Sequence, residues 1–179
     1  ITYPPGMVLS LEEHARYVAE HFPSDNVVIV AESFSGLVGL ALLHVKPKEV
    51  KGIVCSAAFA EPLHPTLIRG LSLIPGIGSI ARKLPASLLG YFLFGPFSDK
   101  PLEALLDRGL RLIDVKCLKH RAGIIADGYP LLNERFDIPC LYLQANRDRV
   151  VPPEAALWLA AHFDHCECVA FDAPHCLLQ

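Results

Sequence analysis

Ser33, Asp148 and His175 are residue types that together can turn an alcohol into a nucleophile. A serine hydroxyl needs a base within hydrogen-bond reach. A base imidazole in turn needs a carboxylate to fix its tautomer and to stabilise the imidazolium once formed. Each of the three directly follows a stretch with strand character: Val27 to Val30 before Ser33, Ile138 to Gln144 before Asp148, and Cys166 to Phe171 before His175. In a parallel sheet the loops after strand C-termini share one edge, so residues far apart in sequence are expected to meet on one rim.

Asn26 to Phe59 must position the serine. Val27 to Val30 is an unbroken β-branched run, Ala31 to Ser35 is small and polar, and Gly36 to Val45 is an apolar segment of helical length that Pro47 stops. That reads as strand, sharp turn and helix with Ser33 at the corner. The following backbone N–H, that of Phe34, faces the start of a helix, where the dipole favours an oxyanion. Val50 to Ser56 is a second apolar strand, at the right distance for a βαβ unit with right-handed crossover. Continuous apolar strands of this kind predict a parallel sheet covered on both faces.

Before this unit, Ile1 to Tyr3 reads as a short β-type start. Ser10 caps a helix with Glu12 and Glu13 in its first turn, and Pro23 ends it. From about 61 to 137 apolar helical pieces (Thr66 to Leu73, Ile80 to Phe94, Leu102 to Leu112) are broken by Pro and Gly, with no strong strand among them. This block packs on the sheet or caps a pocket above it, and its position between two sheet strands favours a cap. Glu154 to Phe163 reads as an amphipathic helix with Leu157, Trp158 and Ala161 inward.

The five residues Ala31-Glu32-Ser33-Phe34-Ser35 resemble the nucleophile elbow of the α/β-hydrolase superfamily, Gly-x-Ser-x-Gly, with Ala31 and Ser35 in the glycine places. Ala145 to Pro152 is similar to the acid loop of that family, and Ala173 to Gln179 to its histidine loop. The order serine, acid, histidine is also the family's. The resemblance implies one α/β domain over 1–179: a mostly parallel sheet flanked by helices, a short form of the hydrolase architecture with a helical cap insertion at about 61–137. It further implies Ser33 as nucleophile, His175 as base, Asp148 as acid and the Phe34 backbone N–H in the oxyanion hole, with no metal or organic cofactor. Asp172 and Glu61 are the alternative acids. The ordinary structural roles would be helix capping for Ser33, turn capping for Asp148 and a surface position for His175.

Composition narrows the partners. Of 179 residues 52% are hydrophobic and 20% charged, and the formal net charge is −3. Nothing favours nucleic acid, and no run of about 18 apolar residues predicts a membrane span. The expected partner is a small hydrophobic ester. Six cysteines include Cys55, Cys140 and Cys168 in or beside strands, where free thiols behave as buried hydrophobes. Reduced thiols and a cytoplasmic setting are expected, without a metal at His162, His165, Cys166 and Cys168.

The chain opens on Ile1 and only 32 residues precede Ser33, too few for the strands and the oxyanion loop that family members carry there. Either the sequence is a fragment or a partner supplies cover. The Val27 strand would otherwise leave an open sheet edge, which predicts a homo-oligomer. Three functional readings stay open: an ester hydrolase, an acyltransferase or thioesterase on the same residues, and a weakly active or inert hydrolase-like interaction module.

Overall fold

The β-branched and apolar runs form four strands: β1 (Val27–Glu32), β2 (Val50–Ser56), β3 (Phe136–Ala145) and β4 (Phe163–Phe171). In this computed structural model, which describes the chain apart from residues 1, 2, 4, 5, 23, 24, 132 and 179, they make one sheet in the order β1-β2-β3-β4. Every neighbouring pair is parallel. Register aligns Glu32 with Ser56, Ser56 with Leu143, and Ala145 with Phe171, so the ends carrying the candidate loops lie along one edge.

Helix α1 (Leu11–Ala19) starts at a capping box in which Ser10 and Glu13 satisfy each other's backbone N–H. It packs on α2 (Ser35–Val45), whose apolar residues lie all round the helix and are buried almost throughout. Between β2 and β3 run α3 (Pro65–Ser72), α4 (Ile77–Ala81), α5 (Ala86–Leu93), α6 (Lys100–Leu112) and α7 (Val115–Asp127). The expected single piece from Ile80 to Phe94 divides at Pro85, because proline cannot continue a helix through its own position. Helix α7 was not anticipated. Its C-cap is Gly128 at φ 71, where a Cβ would lie 2.7 Å from the Ala60 carbonyl oxygen.

Two expectations need correction. In α8 (Ala155–His162) the inward residues are Ala155, Ala156, Trp158 and Leu159, whereas Leu157 is 68% exposed and Ala161 is also exposed. The helix meets β3 and β4 with one side only, and apolar residues spill onto the other. Among the described residues, moreover, the sheet is covered on one face and not on both. Alternation from the register puts Ile29, Ala31, Ile53, Cys55, Cys140 and Tyr142 on the face under α2 and α8, where all but Ile29 are buried. Val28, Val30, Val54, Leu141, Leu143 and Phe171 point the other way, and none belongs to a core cluster among the described residues. Cys168 is exposed, since β4 is itself an edge strand. The proposed opening strand includes Ile1 and Thr2, which lie outside the described residues, as does Pro23; Tyr3 has no regular structure.

Candidate active site

Ser33 occupies the corner directly after β1 with φ 54, a left-handed conformation that a non-glycine residue holds only under constraint. The constraint is visible: its N–H donates to the Ser56 carbonyl at 2.9 Å, and its own carbonyl accepts from Gly36 at 2.8 Å. Ser33 does not cap α2. The N-cap position belongs to Phe34 and carries no side-chain bond. The glycine requirement of the turn falls at Gly36, where a Cβ would stand 2.5 Å from the Ala58 methyl. Ala31 fits because the residue facing it is Gly39, whose added Cβ would be 3.4 Å from the Ala31 Cβ.

Asp148 follows β3, and its two carboxylate oxygens divide the work. Oδ1 accepts the N–H groups of Val150 at 2.7 Å and Val151 at 2.9 Å. Oδ2 accepts from His175 Nδ1 at 2.8 Å. Turn capping and orientation of the histidine are therefore held at once by one side chain. His175 Nε2 lies 2.8 Å from Ser33 Oγ. With Nδ1–H given to the carboxylate, Nε2 of a neutral ring has a lone pair for the serine proton. Side-chain exposure is 3% for His175 and 4% for Asp148, so water cannot compete for this pair.

The surrounding loops lock together. Arg147 N–H donates to Ala173 O at 3.0 Å, tying the acid loop to the segment before His175. Cys176 N–H donates to Leu93 O at 3.1 Å, and Arg149 donates to Tyr91 O at 2.7 Å while stacking on that ring at 3.9 Å. Helix α5 is thus fastened to both loops. The Phe34 N–H has no acceptor among the described residues and sits at the positive end of α2.

No protein-family model matches the chain, and no curated protein matches it in sequence. Solved structures do. A thermophilic esterase superposes with TM-score 0.73 at 22% identity over 96% of this chain and 68% of its own. A hydrolase from Oleispira antarctica gives 0.73 at 20%, over 94% and 66%. 2-Hydroxy-6-oxo-6-phenylhexa-2,4-dienoate hydrolase from Rhodococcus sp. strain RHA1 gives 0.70 at 21%, over 97% and 67%. The chain has the α/β-hydrolase fold. It spans about two thirds of the length of these structures.

Within this hydrolase fold the rival acids fall away from the histidine. Asp172 pairs with Arg147 on the surface, and Glu61 is exposed. His162 stacks on Trp158 at 4.1 Å and donates Nδ1–H to its carbonyl at 2.6 Å. Among the described residues no group of three or more His, Cys, Asp or Glu is arranged to hold a metal, and no helix is long and apolar enough to cross a membrane. Sequence reasoning passed over two groups beside the corner. His14, 1% exposed, makes an edge-on contact with the Phe34 ring at 5.6 Å. The other is Glu32, whose signal was a lone charge closing an apolar strand.

Proposed function

We propose that the chain is a serine hydrolase cleaving carboxylic esters through an acyl-enzyme. The observation that carries the proposal is the His175 ring bridging Ser33 Oγ and Asp148 Oδ2, each at 2.8 Å. Ser33 attacks the ester carbonyl while Nε2 takes its proton, and the buried Asp148 stabilises the imidazolium. The oxyanion that forms takes the Phe34 N–H at the start of α2. His175 returns the proton to the leaving alkoxide, and water, activated by the same nitrogen, releases the acid. These steps use side chains and backbone alone.

On this reading residues 61–137 act as a cap on a single domain. Helix α5, fastened at Tyr91 and Leu93, presents Leu88, Tyr91 and Phe92 as exposed apolar groups that suit a hydrophobic acyl or alcohol part. One identified oxyanion donor predicts modest turnover, since removing a donor costs about 3 kcal/mol of transition-state stabilisation.

The deciding assay is hydrolysis of short and medium p-nitrophenyl esters by the wild-type chain beside Ser33→Ala. Turnover is expected in the first and background in the second. Equal rates in both would overturn the assignment of Ser33.

A further inference from the structure

Glu32 breaks the pattern of its own strand. β1 runs Val-Val-Ile-Val-Ala and then places a carboxylate one residue before Ser33. A half-buried charge at the end of an apolar strand loses hydration, so it persists where the fold uses it. Here Oε1 accepts the backbone N–H of Leu178 at 3.2 Å and lies 3.4 Å from the hydroxyl of fully buried Ser56. The carbonyl of that same Ser56 holds the Ser33 N–H. One carboxylate thus joins the end of β2 and the turn after His175 to the strand that delivers Ser33.

The His175 turn shows why this matters. Upstream it is tied through Ala173 O to Arg147, and at Cys176 it is tied to Leu93 O of α5. Downstream, the bond to Glu32 is its connection to the sheet among the described residues. The imidazole must keep two bonds of 2.8 Å at once, and a tilt of the turn lengthens one or both. The charge of Glu32 reaches this turn as well: burial first, then Glu32 and Asp148, push the Cys176 thiol up to about 12, so it stays protonated beside the base.

We propose that Glu32 is a positioning residue for the base, its carboxylate fixing the turn after His175 so that the ring bonds Ser33 and Asp148 together. The proposal rests on the serine-hydrolase reading of the site. Glu32 contacts neither Ser33 Oγ nor the imidazole, so it acts through the turn.

Two variants test it in the whole chain. Glu32→Ala removes the acceptor, and Glu32→Gln keeps an oxygen for Leu178 and Ser56 while removing the charge. Glu32→Ala is expected to lower kcat on p-nitrophenyl butyrate about tenfold with KM within about twofold. It should also broaden or erase the far-downfield proton resonance of His175 Nδ1–H while the protein stays folded by circular dichroism. Glu32→Gln is expected to recover most of both signals. A Glu32→Ala variant with wild-type kcat and an intact resonance overturns the proposal, as does one that loses thermal stability with the resonance unchanged. The resonance needs no turnover, so a chain that fails to hydrolyse esters still tests the positioning role separately from the reaction.

Discussion

The two faces of the sheet differ more than their sequences do. Both are lined by Val, Ile, Leu and small residues, yet Ile53 on one face is 1% exposed while Val28 and Val30 on the other are 59% and 62% exposed. Helices α2 and α8 account for the contrast, since α2 fits against Ile53, Ala31 and Ile29 through Gly39. An added Cβ at Gly39 would meet Ile53 Cδ1 at 2.8 Å. The strands that deliver Ser33, Asp148 and His175 to one rim are packed on the covered face. The uncovered face forgoes about 1.5 kcal/mol for each valine left in water. Burial, rather than hydrophobic composition, separates the stabilising half of this sheet from the half left exposed.

The sharpest way to break that comparison is a matched pair of truncations. Ile53→Ala is expected to cost about 3 kcal/mol, lost transfer energy plus a cavity, whereas Val30→Ala should change the stability of the single chain, measured at low protein concentration, by less than about 0.5 kcal/mol. Urea denaturation of both variants, at low and high protein concentration, measures the difference. If Val30→Ala proved as costly as Ile53→Ala even at low concentration, the second face would be covered within the single chain.

A change of state follows next in size. Among the described residues β1 pairs with β2 alone, and a groove of about 330 Å³ runs along it, lined by Tyr3, His21, Phe22 and Val28 among others. An open apolar edge beside an open apolar face is a template for another chain. We expect a dimer or larger assembly by light scattering at micromolar concentration, and a shift to monomer in Val30→Lys. A wild-type chain that is already monomeric would show that the bare face and edge are tolerated in water.

Where the sequence was legible, local chemistry and tertiary demand agreed. The β-branched run at Val27 and the N-cap at Ser10 appear in the fold, and the break expected at Ala31 to Ser35 narrows to Ser33 and Phe34, because β1 continues to Glu32 and α2 starts at Ser35. The meeting of Ser33, Asp148 and His175 follows from strand direction, because parallel strands deliver their C-terminal loops to one rim. Coverage was not legible. Apolar residues at every position from Val27 to Ala31 describe a strand able to be buried on both sides, but which side receives a helix depends on elements far along the chain. The inward set of α8 was misread for a related reason: with apolar residues all round, period alone cannot choose a face. Glu32 showed as a lone charge closing an apolar strand, but its partner could not be read, being a backbone N–H some 146 residues away.

The smallest predicted effect probes the covered side through its buried histidine. His14 gives Nδ1–H to Ser10 O at 2.7 Å; its Nε2 is buried with no partner among the described residues, and its ring packs edge-on against Tyr3 and Phe34. Burial is the largest influence on the ring and pulls its pKa down; the Ser10 bond opposes this, and Arg121 and His120 add to it. A base whose folded pKa lies below its unfolded value binds its proton more readily when the chain unfolds. Stability is therefore complete above the unfolded histidine value of about 6.5 and falls as pH drops from there toward the folded value. Urea denaturation at pH 7.5 and 5.5 should show a loss at the lower pH that shrinks in His14→Gln, measured as the difference between the two pH values so that any uniform cost of the substitution cancels. If the loss is the same in both proteins, His14 is not a group that proton binding sets against folding, and the packing of α1 against the Ser33 corner is insensitive to acid.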